Sequence, residues 1–175
     1  MNSIMNKSPQ QLGKGMIYVA WLLVLGLLFV FFNYMLEKQH NPNQNITSNN
    51  YNNGIREVTL QSNRYGHYVS NGNINGQPVV FLLDTGATRV SIPESVANQL
   101  NLTRGRPLKT NTANGIITTY SVTLDRVSMG TIELKSVRAS INPNMLGDEI
   151  LLGMSFLKYL EWNQRGNILT LRQHP

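Results

Sequence analysis

An all-β domain carried behind one membrane-spanning helix is the architecture the sequence predicts, on three observations. Met16–Met35 reads MIYVAWLLVLGLLFVFFNYM, a run without charge, long enough at about 1.5 Å rise per residue for a hydrocarbon core about 30 Å thick. Residues 39–54 hold seven asparagines in sixteen positions and almost nothing apolar. From Ile55 onward, short apolar runs alternate with Asn-Gly and other turn signals, the texture of strands rather than helices.

Taken in order, residues 1–15 form an N-terminal segment and 16–36 the transmembrane helix, with Trp21 and Tyr34 toward its ends where amphipathic rings favour the interface. The run is long for a signal-peptide core, and no small-x-small cleavage site follows it. Lys7 and Lys14 precede it without an acidic residue, and Glu37 and Lys38 follow. This bias puts the N-terminal segment in the cytoplasm and the bulk of the chain on the far side. Residues 37–54 are expected to be a disordered, Asn-rich linker, because so polar a stretch buries too little surface to offset its ordering entropy.

The remaining span, 55–175, is the folded domain. Glu57–Gln61 and His67–Ile74 read as strands, and Asn75-Gly76 is a hairpin signal. Pro78–Leu83 is a nearly continuous apolar strand, expected to be buried. Pro93–Leu100 suits a short helix opened by proline, with Ser91 nearby as a candidate cap. Thr110–Tyr120 reads as a polar, Thr-rich hairpin turning at Asn114-Gly115. Val122–Val127, Ile132–Ile141 and Ile150–Gly153 read as strands, Met154–Leu160 as a turn or two of helix, and Asn167–Arg172 as a last strand.

Composition removes several kinds of chemistry. The 175 residues include no cysteine, so disulfides, thiolate metal sites and cysteine nucleophiles are absent. The three histidines, His40, His67 and His174, form no metal-binding pair at helical spacing, and no metal or cofactor is expected. Gly153-Met154-Ser155 lacks the second glycine of a nucleophile elbow. The net charge of +6 is spread over scattered Lys and Arg without a basic run or a nucleic-acid motif, so no nucleic-acid partner is expected. The only aspartates are Asp84, Asp125 and Asp148. Asp84 stands apart, because it ends an apolar strand and is followed by Gly86, which lets the chain turn sharply. That placement suggests a carboxylate at the bottom of a loop between buried walls. Taken alone, Asp-Thr-Gly is equally readable as a turn capped by an aspartate.

The surroundings of this tripeptide narrow the choice. Phe81-Leu82-Leu83-Asp84-Thr85-Gly86-Ala87-Thr88 resembles the active-site segment of the retropepsin-like (clan AA) aspartic proteases. Ile150-Leu151-Leu152-Gly153 is similar to their apolar-apolar-Gly strand, and Gly66-His67-Tyr68 with Ile74–Val79 resembles a bacterial, membrane-anchored, single-domain branch. The resemblance covers most of Ile55–Arg172. It implies a single-lobe retropepsin-like fold, a small closed β-barrel-like domain with a flap hairpin and short helices. It implies Asp84 as the catalytic carboxylate, supported by Thr85, Gly86, Ala87 and Thr88. The flap would run through Thr112, Ala113, Asn114, Gly115 and Ile116, and Leu151, Leu152 and Gly153 would pack behind the loop.

Such chemistry needs two carboxyls in contact, one ionised and one protonated. Neither Asp125-Arg126-Val127 nor Asp148-Glu149-Ile150 can supply the second. The resemblance therefore implies a homodimer with one Asp84 from each subunit at the axis, acting on a peptide or protein substrate. The setting it implies is a bacterial inner membrane with the folded domain in the periplasm. The alternative is a dimeric peptide-binding or scaffold domain of the same fold without catalysis.

Overall fold

A computed structural model describes residues 9–112 and 115–175, with side chains from Gly15 onward. The chain divides into two units, residues 1–39 and 40–175. In the first, α1 (Pro9–His40) begins, an uninterrupted helix. Its Gly15–His40 portion has a mean hydropathy of 2.5, is long and apolar enough to cross a membrane, and is unburied throughout. Leu22, Leu27 and Phe29 are all exposed.

The second unit holds two sheets. The smaller is antiparallel, in the order β1 (Thr47–Asn50), β2 (Arg56–Gln61), β11 (Ile168–Gln173), β10 (Glu161–Arg165). Val58 and Leu60 from β2 and Leu169 and Leu171 from β11 alternate into the core, as period-two side chains must. The larger sheet runs β3 (Val69–Ile74), β4 (Gln77–Leu83), β9 (Glu149–Leu152), β5 (Val90–Pro93), β8 (Ile132–Asn142), β7 (Gly115–Met129), β6 (Pro107–Thr112). Asn73 and Ile74 of β3 also pair with Ser128 and Val127 of β7, so the sheet curls until its first strand meets its sixth. This is the mostly-β fold that the sequence implies. Phe81, Ile92, Leu124, Ile150, Leu152 and Phe156 fill its interior without exposure.

The β3–β4 hairpin turns at Asn75-Gly76 with φ of 51° and 83°, the two left-handed residues a tight hairpin requires. Helices α2 (Glu94–Gln99) and α3 (Met154–Leu157) are brief. The N-cap of α2 is Pro93, with no side-chain capping bond, while Ser91 lies inside β5 and does not cap. The strand expected to be buried, β4, is fully buried only at Phe81 and half-buried at Val79, Val80, Leu82 and Leu83. One of its faces packs on the core, and this chain covers the other only in part. The strand expected at Val122–Val127 is the continuation of the hairpin arm, a single fifteen-residue strand.

The linker expected over 37–54 is corrected. The helix persists to His40, and β1 pairs residue by residue with β2. Asn41 and Asn43 are buried. The Asn43 amide donates to the carbonyls of Gln61 (2.9 Å) and Val69 (2.7 Å), and its oxygen accepts from Gln61 N–H (2.7 Å). Asn41 accepts from Asn43 N–H and donates to Asn71 Oδ1. Asn71 in turn donates to the Gln44 carbonyl. Side-chain amides here stand in for apolar burial, each bond contributing about 1 kcal/mol net, which composition alone does not register.

Candidate active site

The residues around Asp84 owe their positions to β9. This strand lies between β4, which leads into the loop, and β5, which leaves it. It runs parallel to β4, with Leu82 opposite Leu151 and Leu83 opposite Leu152, and antiparallel to β5 at Ser91. The Asp84 N–H donates to the Leu152 carbonyl (3.2 Å), and Leu83 N–H to Tyr68 O (3.0 Å). Beyond the strand, Met154 N–H donates to Ala87 O (2.7 Å) and Ser155 N–H to Thr88 O (3.0 Å). The Ser155 hydroxyl oxygen accepts from Val90 N–H (3.0 Å). Between them sits Gly153. A Cβ there would lie 2.3 Å from Arg89 O and 2.5 Å from Ala87 O. Only glycine allows the strand and the loop to touch.

Within the loop, Asp84 Oδ1 accepts from Gly86 N–H (2.8 Å), and the Asp84 carbonyl accepts from Ala87 N–H (3.3 Å). Asp84 is half-buried, while Thr85, Gly86 and Thr88 are exposed. The enclosed carboxylate expected from the apolar strand is thus open to solvent on one side. The loop curves past the end of β4 instead of burying its turn under another element.

Opposite the loop stands the β6–β7 hairpin, in register from Pro107↔Tyr120 to Thr112↔Gly115. The Thr110 and Thr119 hydroxyls bond at 2.7 Å across the arms, and Thr112 Oγ1 donates to Gly115 O (2.8 Å). Gly115 and Ile116 are exposed; Ala113 and Asn114, expected at the tip, lie outside the described residues. Hairpin and loop share a cleft of about 670 Å³. Asp84, Gly86, Ala87, Thr88, Arg89 and Leu151 line one side, Leu108–Thr112 the other, with Ser91 and Ser140 between them. Of the residues singled out in the sequence, the cleft thus gathers Asp84, Gly86, Ala87, Thr88, Leu151 and Thr112. Leu152 is buried behind the loop with Gly153, and Thr85 is exposed beside the cleft. Among the described residues, Asp84 is the only acid lining the cleft, while Asp125 lines a separate depression with Asn101 and Thr123. Among the described residues, no group of His, Cys, Asp and Glu could hold a metal ion.

Sequence reasoning missed Ser155, which fastens the loop exit, and Leu108 and Lys109. A serine two residues past an apolar-apolar-Gly strand is the one signal that points to the first. The first arm of the hairpin begins at Pro107, three residues before the expected Thr110.

An aspartate on a glycine turn, backed by a crossing apolar strand and faced by a hairpin, is an arrangement that known proteins share. The family model described as gag-polyprotein putative aspartyl protease matches residues 70–159. The chain belongs to that family. It is a retropepsin-like protein in sequence and in fold. The crystal structure of a retropepsin-like aspartic protease from Rickettsia conorii superposes with a TM-score of 0.59 at 25% identity, over 73% of this chain and 95% of that one. An uncharacterized protein from the cobV 5′ region of Sinorhizobium sp is 30% identical over 182 residues, spanning 95% of this chain and 77% of the relative. An uncharacterized protein of Rickettsia prowazekii is 29% identical over 107 residues, 59% of this chain and 46% of that protein.

Proposed function

We propose that this retropepsin-like chain is an aspartic endopeptidase, anchored in a membrane by α1 and active as a homodimer. The observation that carries the reading is the position of Asp84, the single acid among the described residues of the cleft, on a loop fixed by β9 and open toward solvent. One subunit offers one carboxylate. A two-fold axis beside the loop gives the pair that peptide hydrolysis needs, and it covers the exposed side of the turn.

In that pair one Asp84 is ionised and its twin protonated, since two adjoining carboxylates do not both ionise cheaply. The ionised group takes a proton from water as the water oxygen attacks the scissile carbonyl, and the protonated group gives its proton to the carbonyl oxygen. The resulting gem-diol collapses as the first carboxyl gives the proton it took from water to the amide nitrogen, the twin takes a proton back from a diol hydroxyl, and the C–N bond breaks. No covalent bond to the protein forms. Gly86 keeps the turn tight, Thr85 reaches the other subunit's loop, and the flap, with Gly115 and Ile116 near its tip, closes over an extended peptide and bonds its backbone. Anchoring both copies in one membrane raises their effective concentration. The lysines before the span favour a cytoplasmic N-terminus, which puts the cleft in the periplasm of a bacterial inner-membrane protein.

The test is turnover of a peptide mixture by the full chain in detergent micelles, beside Asp84→Asn. Cleavage by the first alone supports the reading. Equal cleavage by both removes Asp84 from the chemistry, and binding without cleavage by either leaves a scaffold domain of the same fold.

A further inference from the structure

Charge in the cleft is distributed unevenly. Arg89 lines it beside the Asp84 loop and Lys109 lines it from the flap arm. Arg89 is half-buried and Lys109 exposed. Neither forms an ion pair among the described residues. The glutamates of the folded unit are engaged elsewhere: Glu57 and Glu161 with Arg172, Glu94 with Arg104, Glu133 with Arg126, Glu149 with His40. The remaining lining is mostly small or polar, with Leu108 and Leu151 as its large apolar members.

A half-buried guanidinium has lost part of its hydration without gaining a carboxylate, and its planar fork fits a carboxylate with two parallel N–H···O bonds. Lys109 adds a mobile point charge that travels with the flap. From these observations we infer that the cleft selects extended peptides bearing an acidic side chain close to the scissile bond. Arg89 is the main selecting residue, and Lys109 assists when the flap closes. The inference rests on the endopeptidase reading and names its substrate class. In a two-fold dimer each half-cleft carries one Arg89 and one Lys109, so the preference falls at equal spacing on both sides of the bond cut. Residues 40–175 carry twelve Lys and Arg against eight Asp and Glu, and this positive balance draws such peptides in at longer range.

The experiment uses the full chain in detergent micelles and peptides blocked at both ends, so that side chains supply the only carboxylates. Glu, Gln or Lys is placed in turn at each position flanking a constant apolar pair. The expected kcat/KM for Glu at the selected positions exceeds that for Gln by about tenfold. Lys falls below Gln, and the gap narrows as salt shortens the screening length. Arg89→Glu reverses the order, Arg89→Gln levels it if the reversal variant does not fold, and Lys109→Glu weakens it less. The same series is bound to the Asp84→Asn chain and followed by fluorescence anisotropy. Selective binding of Glu peptides, lost in the Asp84→Asn/Arg89→Gln chain, supports the inference even where the parent chain cleaves nothing, and that combination overturns the endopeptidase reading alone. Cleavage with equal rates for Glu and Gln, unmoved by Arg89→Gln, overturns the inference and leaves the endopeptidase reading intact.

Discussion

The floor of the cleft and the hairpin we propose as its flap are both made of strands, yet they are held in different ways. The floor strand β9 has neighbours on both sides, hides Ile150 and Leu152 completely, and ends at a glycine with no room for a methyl group. The flap strand β6 closes the sheet at its edge, pairs with β7 alone, and alternates between exposed and half-buried positions. Position of the carboxylate is therefore set by backbone ladders and steric exclusion, and access to it by one hairpin that can open at modest cost. Opening free energies follow such differences in buried contacts.

The sharpest way to break this contrast is Gly153→Ala. Its methyl group must displace the Ala87 and Arg89 carbonyls, so a loss of about 1–3 kcal/mol in denaturant unfolding is expected. On the endopeptidase proposal, peptide turnover should fall further than stability does, because the Asp84 loop itself moves. Unchanged stability and turnover would show that the floor has slack. A smaller effect is expected at the flap. Thr119→Val keeps the shape, removes the bond to Thr110 and lowers protection of the β6–β7 amides by about 1 kcal/mol in hydrogen exchange. The β9 amides should not respond; if they do, floor and flap open as one unit. The smallest effect lies outside the cleft, on the four-stranded sheet. The hydrogen bond from Arg172 holds the Glu57 carboxyl below its ordinary value of 4.5. A lowered acid stabilises the fold above its ordinary value, and the contribution is lost as pH falls through the lowered one. Glu57→Gln should flatten the acid limb of Tm against pH as pH falls through and below the ordinary value of 4.5, and leave the flap amides as they were.

The same contrast governs how much was legible in the sequence. The floor declares itself locally: an apolar strand running into Asp84-Thr85-Gly86-Ala87, and Ile150–Gly153 whose glycine marks a close approach. The Asn75-Gly76 signal gives the first hairpin, because turn chemistry is short-range. At the second signal, Gly115 already pairs with Thr112 as the first residue of β7, and Asn114 lies outside the described residues. Elements that depend on distant partners stay hidden. Strand β5 is four residues long and exists through β8 and β9. Every residue of β10 is exposed, and the strand is defined by β11 across the Gly166 turn. Asn43 reads as solvated until β2 and β3 supply the carbonyls it bonds, and Asn41 until the Asn71 side chain on β3 accepts from it. Arg89 carried no signal that separated a cleft position from a surface one, since its role depends on which acids are already paired.

The central claim is that two copies each contribute one Asp84 to a single reaction centre. Subunit mixing tests it most directly. Full-length chains of the natural sequence and of Asp84→Asn are mixed in equal amounts in detergent, allowed to exchange, and assayed on one peptide at constant total protein. If both carboxylates are required, only dimers with two natural subunits turn over, and activity falls to about a quarter of the unmixed value. Activity at about half, following the fraction of natural chain in a straight line, would mean that each subunit works alone and would contradict the account.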